Sequence, residues 1–338
     1  MIENTARSFF ENFIGENADD LYTLPQSGSS RINFIAENNG KKYVITANEN
    51  LLENEAFLYF SSIFQDLELN TPKILAVSEN RKMYLQDFVG SETLSEIIAE
   101  NGADPRVKNL VKRSLEKLYD LQRSTEGKID YTKTFEYEAY NYLPIWNDLF
   151  YFKSMFVDIL ELPYHRSSLL LEFQEIVKLI ENISPKTLMI RDFQARNIMI
   201  NSDDEVYFID YQSAMKGPAM YDVVSFLFQA KANFSEDLKN EMLGFYIQLW
   251  KNEGTQNELK NSIKPIQLIR YLQVLGAYGF RGLIQKKQHF QNSIPKGIEN
   301  LVSFAENWEE MANYPELKKI IINLRSTEVK SKIDKLLI

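Results

Sequence analysis

The stretch IRDFQARNIMINSDDEVYFIDYQ, residues 190–212, decides the fold. Ile198-Met199-Ile200 and Val206-Tyr207-Phe208-Ile209 are apolar runs on either side of the polar turn Asn201-Ser202-Asp203-Asp204, and together they read as a β-hairpin. Asp192 and Asn197 fall on the loop entering that hairpin, and Asp210 ends its second strand, so the hairpin brings the three side chains together. Asp and Asn are common turn formers, and each of the three taken alone reads equally well that way. Taken as an ordered set they meet the needs of phosphoryl transfer. Asp192 accepts the proton of an attacking hydroxyl, while Asn197 and Asp210 hold Mg²⁺ against nucleotide phosphates. The order Arg-Asp, four residues, Asn, then Asp at a strand end matches the kinase-type signature.

The chain before this island is mixed α/β. Ile32, Phe34 and Ala36 alternate with polar residues as in a half-buried strand, Asn39-Gly40 is a hairpin turn, and Tyr43-Val44-Ile45-Thr46 forms the return strand. A helix is expected from about Glu49 to Phe64, with Ala56, Tyr59, Phe60 and Ile63 on one face, then strands at Ile74–Val77 and Met83–Gln86. Beyond Gly90, helical patterns dominate at roughly 92–100, 106–124, 145–160, 166–182 and from about 218 onward. The expectation is an α+β protein with a small β-rich lobe over residues 1–90 and a large helical lobe over 91–338.

Composition narrows the function classes. Of 338 residues, 44% are hydrophobic and 25% charged, an ordinary globular balance. The net charge is −9, from 38 basic and 47 acidic residues, with no basic stripe, which argues against nucleic acid as the main partner. There is no cysteine, so disulfides, thiol nucleophiles and thiolate metal sites are excluded. The two histidines, His165 and His289, rule out a multi-histidine metal site. No secretory leader or membrane-length apolar run is apparent, and a soluble cytoplasmic protein is the default expectation.

The chain resembles the aminoglycoside phosphotransferase and choline kinase superfamily, of protein-kinase-like fold. Within it the likeness is to sugar kinases of the bacterial N-acetylmuramate/N-acetylglucosamine anomeric type. That subgroup's pattern is similar to IRDFQARNIM at 190–199, DYQSA at 210–214, GP at 217–218 and YD at 221–222, and LQVLGAYGF at 272–280 resembles one of its late helices. The resemblance implies ATP and Mg²⁺ as cofactors and a two-lobed fold. It departs at two places. Ile190 stands where the family has His, a brace for the loop that an apolar residue can replace. The strand Tyr43–Ala47 lacks the family's phosphate-contacting Lys, with Thr46 or a neighbour in its place, so Glu55 is left to help bind metal or to cap the site.

Other positions follow from this frame. The segment Ser27-Gly28-Ser29-Ser30-Arg31 before the first hairpin is either a plain loop or a phosphate cradle built from free backbone N–H groups, and Arg31 is either a phosphate contact or a surface charge. By resemblance, the strand ending near Gln86 and Phe88 is the hinge that reads adenine. Gln194 and Arg196, inside the loop, are candidates to face the acceptor. The aromatic segment 135–162 reads chiefly as helix–helix core, with sugar stacking as the alternative and Asp148 a candidate partner for substrate hydroxyls. Asp222 is expected to be structural.

The implied function is transfer of the ATP γ-phosphate to a hydroxyl of a small molecule, a sugar or amino sugar first, with aminoglycosides and choline-type alcohols as rivals. From another class, a nucleotide-binding pseudokinase is favoured by Ile190 and the missing Lys, and opposed by the intact Asp192, Asn197 and Asp210. A protein kinase is disfavoured, because Asp210 and Gly217-Pro218 leave little room for a peptide-docking segment.

Overall fold

In the computed structural model, residues 2–25 and 30–337 are described. Along the chain, α1 (Ile2–Ile14) leads to β1 (Asp20–Thr23), β2 (Ile32–Asn38) and β3 (Lys41–Ala47), then α2 (Leu51–Asp66), β4 (Ile74–Val77) and β5 (Met83–Asp87). The short β6 (Glu92–Thr93) opens α3 (Leu94–Asn101) and α4 (Pro105–Ser124), followed by α5 (Tyr142–Phe152) and α6 (Arg166–Glu181). Next come β7 (Lys186–Met189), β8 (Ile198–Ile200), β9 (Val206–Phe208) and β10 (Met215–Pro218). The remainder is helical: α7 (Met220–Leu227), α8 (Glu236–Leu249), α9 (Glu253–Tyr278), α10 (Gln288–Gln291), α11 (Ile294–Asn307), α12 (Pro315–Asn323) and α13 (Thr327–Leu337). A β-rich start followed by a mainly helical remainder is the architecture expected from the sequence.

Two compact units result: Met1–Glu138 with Thr187–Met215, and Ala139–Lys186 with Lys216–Ile338. The division differs from a cut at residue 90. The hairpin β8–β9 is remote in sequence yet belongs with the N-terminal chain, because β6 pairs with β8 at Glu92↔Ile200 and the Phe208 N–H bonds the Asn70 carbonyl at 2.9 Å.

In the first unit, β1-β2-β3-β5-β4 form an antiparallel sheet. The β2–β3 turn has Asn39 and Gly40 at φ 50° and 72°, the left-handed pair that a two-residue hairpin demands and that Asn-Gly supplies at little cost. Strand alternation sorts the sheet into two faces. Phe34, Ala36, Ile45, Ala47, Met83 and Leu85 pack with Ala6 and Phe10 of α1. The opposite face carries a polar ladder: Thr46 Oγ1 donates to Asn33 Oδ1 at 2.8 Å and accepts from Gln86 Nε2 at 3.2 Å. Helix α2 starts at an Asn50 cap whose side chain accepts the Glu53 N–H.

The second unit is helical. All of α7 is buried, and Asp222 in its first turn is fully enclosed, in keeping with a structural role. The N-terminus of α12 is held by Glu172 of α6, whose two carboxylate oxygens accept the Glu316 and Leu317 N–H groups at 2.8 Å each. Helix α5 passes into a π-helical turn at Lys153–Val157 rather than continuing as one α-helix to about residue 160. Tyr140, Phe152 and Phe156 of the aromatic segment are core residues, while Tyr142 is exposed and stacks on Trp146. No helix among the described residues is long and apolar enough to cross a membrane.

Candidate active site

The loop 191–197 and the hairpin after it converge as the sequence spacing requires. Asn197 closes a short 3-10 turn, Ala195–Asn197, in which its N–H bonds the Gln194 carbonyl at 2.8 Å. The Asn197 carbonyl accepts the Ile209 N–H at 3.0 Å, which sets the loop end beside the strand end. Its side-chain nitrogen donates to the Asp192 carbonyl at 2.9 Å and to Asp210 Oδ2 at 3.2 Å. All three members of the ordered set are therefore linked through one amide. Phe193 fixes the loop from beneath by packing edge-on against Phe208, with centroids 5.0 Å apart at 88°. Ile190 is buried at 1% exposure, so the apolar residue at this point is part of the loop's core support.

The backbone is unusual at both ends of the site. Arg191 and Asp210 adopt φ of 72° and 65°, left-handed conformations that non-glycine residues hold only where the surroundings enforce them. For Asp210 the enforcement comes from the next residue. The Tyr211 ring stacks on Phe57 at 4.7 Å and meets Phe64 edge-on at 5.0 Å, and its hydroxyl shares a 2.7 Å hydrogen bond with Ser61 Oγ. Burial pushes the Tyr211 hydroxyl well above its ordinary pKa, so it stays neutral. Helix α2 thereby anchors the end of the hairpin.

Around Asp210 lies a compact polar network. Gln212, 4% exposed, donates to Asp210 Oδ1 at 3.2 Å and accepts from Arg31 Nη1 at 3.1 Å. Arg31 Nη2 pairs directly with Asp210 Oδ1, and Arg31 Nε faces Glu53 Oε1 at 3.5 Å. Burial opposes the Arg31 charge, but Asp210, Tyr84 and Glu53 outweigh it and its pKa is raised. Burial likewise pushes the neighbouring Tyr84 hydroxyl up to about 12, against the pull of Arg31. Arg31 is thus a largely enclosed ion-pair partner rather than a surface charge, its side chain 13% exposed.

The donor chemistry fits Mg²⁺. An Asp carboxylate and an Asn amide oxygen are hard oxygen ligands, and this ion characteristically takes one or two protein ligands and completes its shell with phosphate and water. With its nitrogen donating to the Asp192 carbonyl and to Asp210, the Asn197 amide would offer an ion its Oδ1. Among the described residues no group of three His, Asp or Glu side chains is placed to form a metal cage.

Other expected positions are distributed as follows. Gln194 is half-buried and Arg196 exposed on the loop. Gln86 is buried with its side chain in the polar ladder, and Phe88 is half-buried just past the end of β5. Ser30 is exposed, and Ser27, Gly28 and Ser29 lie outside the described residues. Glu55 is engaged elsewhere on the surface of the first unit. It forms a bidentate pair with Arg81 and is about half exposed, its side chain at 48%. The acid of α2 that joins the Arg31 network is Glu53, unforeseen from sequence although helical phase separates it from Glu55 by more than half a turn. Asp148 belongs to the second unit, where it is 1% exposed and accepts the Tyr140 hydroxyl at 2.7 Å, the position of a structural carboxylate rather than of a solvent-facing substrate ligand.

A model of the phosphotransferase enzyme family known as APH matches residues 23–257, most of the chain and all of the loop and hairpin. The chain belongs to this phosphotransferase family. It is 22% identical over 254 residues to an N-acetylmuramate/N-acetylglucosamine kinase of Neisseria meningitidis, covering 72% of this chain and 73% of that protein. Among solved structures, a choline kinase from Streptococcus pneumoniae superposes with a TM-score of 0.62 at 13% identity, over 89% of this chain and 99% of that one. An ethanolamine kinase from Plasmodium vivax gives 0.61 at 17% identity, over 85% and 83%. A spectinomycin phosphotransferase, solved with ADP and spectinomycin, gives 0.57 at 12% identity, over 94% and 97%. These likenesses establish the protein-kinase-like α+β fold expected from the sequence.

Proposed function

We propose that this phosphotransferase moves the γ-phosphoryl group of ATP to a hydroxyl of a small molecule, and that the acceptor is a sugar or amino sugar. The observation that carries the reading is the Asn197 side-chain nitrogen, which donates both to the Asp192 main-chain carbonyl and to Asp210 Oδ2 and so ties the loop to the end of the hairpin. In this reading Asp192 accepts the hydroxyl proton as the acceptor oxygen attacks. The bond from that oxygen to the γ-phosphorus forms while the bond to the β-phosphate oxygen breaks, and ADP leaves. Asn197 Oδ1 and the Asp210 carboxylate hold Mg²⁺, which supplies neutralisation of the phosphate charge. Gln86 and Phe88 at the end of β5 are the candidates for the adenine, Ser27 to Arg31 for the phosphates, and Gln194 and Arg196 for the acceptor. Glu55 and Asp148 have no part in it.

A sugar acceptor is supported by the sequence likeness to the Neisseria amino-sugar kinase. Cationic alcohols and aminoglycosides are the rivals, supported by the structural neighbours that act on choline, ethanolamine and spectinomycin.

The test is coupled ADP release from Mg·ATP across sugars, amino sugars, aminoglycosides and choline, with Asp192→Asn beside the wild type. Turnover stimulated by one acceptor class, and lowered by about 10²- to 10⁴-fold in the variant, is the result expected of a lost general base. Stimulation that survives Asp192→Asn unchanged removes Asp192 from its role. ATP binding without turnover on any acceptor favours a pseudokinase.

A further inference from the structure

A nucleotide triphosphate requires positive charge, and the sheet face beside the site supplies little of it. Asn33, Thr46, Tyr84 and Gln86 on that face are neutral, and Thr46 is buried at 2% with its hydroxyl committed to Asn33 and Gln86. The cation in contact with the candidate metal ligand comes instead from the residue just before β2. Arg31 directs Nη2 to Asp210, Nη1 to Gln212 and Nε toward Glu53, and it also bonds the buried Tyr84 hydroxyl.

Resting on the function proposed above, we infer that Arg31 is the phosphate-binding cation of this chain, and that Arg31 and a divalent cation are mutually exclusive partners of Asp210 Oδ1. The geometry makes the exchange local. Glu53 Oε1 and Gln212 Oε1 hold the Nε and Nη1 side of the guanidinium, so Nη2 can leave Asp210 for a phosphate oxygen while those contacts persist. Arginine suits this because its donors form a rigid fork that serves carboxylate and phosphate oxygens alike. A divalent cation arriving alone must displace an enclosed ion pair. A nucleotide removes that obstacle by offering Arg31 a phosphate. Nucleotide and divalent cation therefore bind with positive coupling, and Arg31 carries it.

The test compares wild type, Arg31→Met and Arg31→Lys, with thermal melting to establish that each is folded. Two quantities are read: Mn²⁺ binding without nucleotide, by paramagnetic resonance, and ADP binding without divalent cation, by calorimetry. Arg31→Met should weaken metal-free ADP binding by about ten- to a hundredfold, the worth of a hydrogen bond to a charged group. The same variant should tighten Mn²⁺ binding, because the competing cation is gone. Arg31→Lys should recover part of the ADP affinity and keep Mn²⁺ binding weak. Should Arg31→Met fail to fold, the Lys variant decides alone. ADP affinity unchanged from wild type in Arg31→Met, or loss of both affinities in either variant, overturns the inference while leaving the proposed function standing. A wild type that binds no ADP with or without Mg²⁺ overturns the proposed function, and this inference with it.

Discussion

Asn197 donates its side-chain nitrogen to Asp210 Oδ2 across 3.2 Å, which fixes the amide against the end of the hairpin. The same nitrogen holds the Asp192 carbonyl at 2.9 Å. Asn197→Ala removes the tie between loop and hairpin and, on the proposed function, one ligand of the metal ion. The Mg²⁺ concentration for half-maximal ADP release should rise by at least about ten- to a hundredfold, the range seen when even an indirect partner of a metal ligand is lost. An unchanged Mg²⁺ dependence would remove Asn197 from the metal site.

Glu53 and Glu55 lie two positions apart on α2 and so on opposite sides of the helix. Glu53 faces Arg31 at 14% side-chain exposure, while Glu55 pairs with Arg81 in solvent at 48%. Glu55→Ala is expected to leave ATP affinity within about twofold and to cost at most about 1 kcal/mol of stability, the usual worth of an exposed pair. Glu53→Gln should loosen Arg31 and weaken ATP binding severalfold. Calorimetric titration of both variants checks this, and the reverse pattern would restore Glu55 to the nucleotide site.

The features legible in the sequence are those with local causes. Asn39-Gly40 dictates its hairpin, β4 spans the expected Ile74–Val77, and the polar turn at 201–204 separates β8 from β9 as expected. The family was also readable, because loop and hairpin pack the diagnostic residues into one short stretch. What escaped depends on phase or on distance along the chain. Helix α1 and strand β1 were not anticipated; β1 has four residues and a single buried position, too little for alternation to register. The choice between Glu53 and Glu55 needs the rotation of α2 about its axis. The pairing of Arg31 with Asp210 spans 179 positions, and no local pattern announces it.

Asp87 offers a pH test. Its Oδ1 accepts the Lys73 N–H at 2.6 Å, yet burial outweighs that bond and raises its pKa above the ordinary carboxylate value. A raised folded pKa means that the folded state holds the proton more tightly than the unfolded state does. The charged group therefore costs stability as pH climbs from the unfolded pKa through the folded one. Asp87→Asn retains an acceptor for Lys73 without the charge. In urea unfolding the variant should be the more stable protein at neutral pH, and its advantage should vanish below about pH 4, where the unfolded carboxyl is protonated too. A variant less stable than wild type at neutral pH would show that the charge is held favourably.

Two glycines of the second unit should respond to the same substitution with opposite signs. At Gly279, following α9, an added Cβ would stand 1.9 Å from the Met155 carbonyl oxygen and 2.6 Å from its carbon. The obstacle is backbone of the π-helical turn after α5, which no rotamer change relieves. At Gly244 in α8, a Cβ meets nothing within 4 Å. Gly279→Ala forces the two segments apart and should cost about 3 kcal/mol, at the upper end for overpacking a close contact. Gly244→Ala gains helix propensity and restricts the unfolded chain, so it should stabilise by roughly 0.5–1 kcal/mol. Urea midpoints of the two variants against wild type read both effects in one series. Equal destabilisation by both would mean that a general intolerance of alanine, rather than contact with Met155, sets the cost at Gly279. A neutral Gly279→Ala would mean that the turn yields, and that the second glycine of LQVLGAYGF serves something other than close approach.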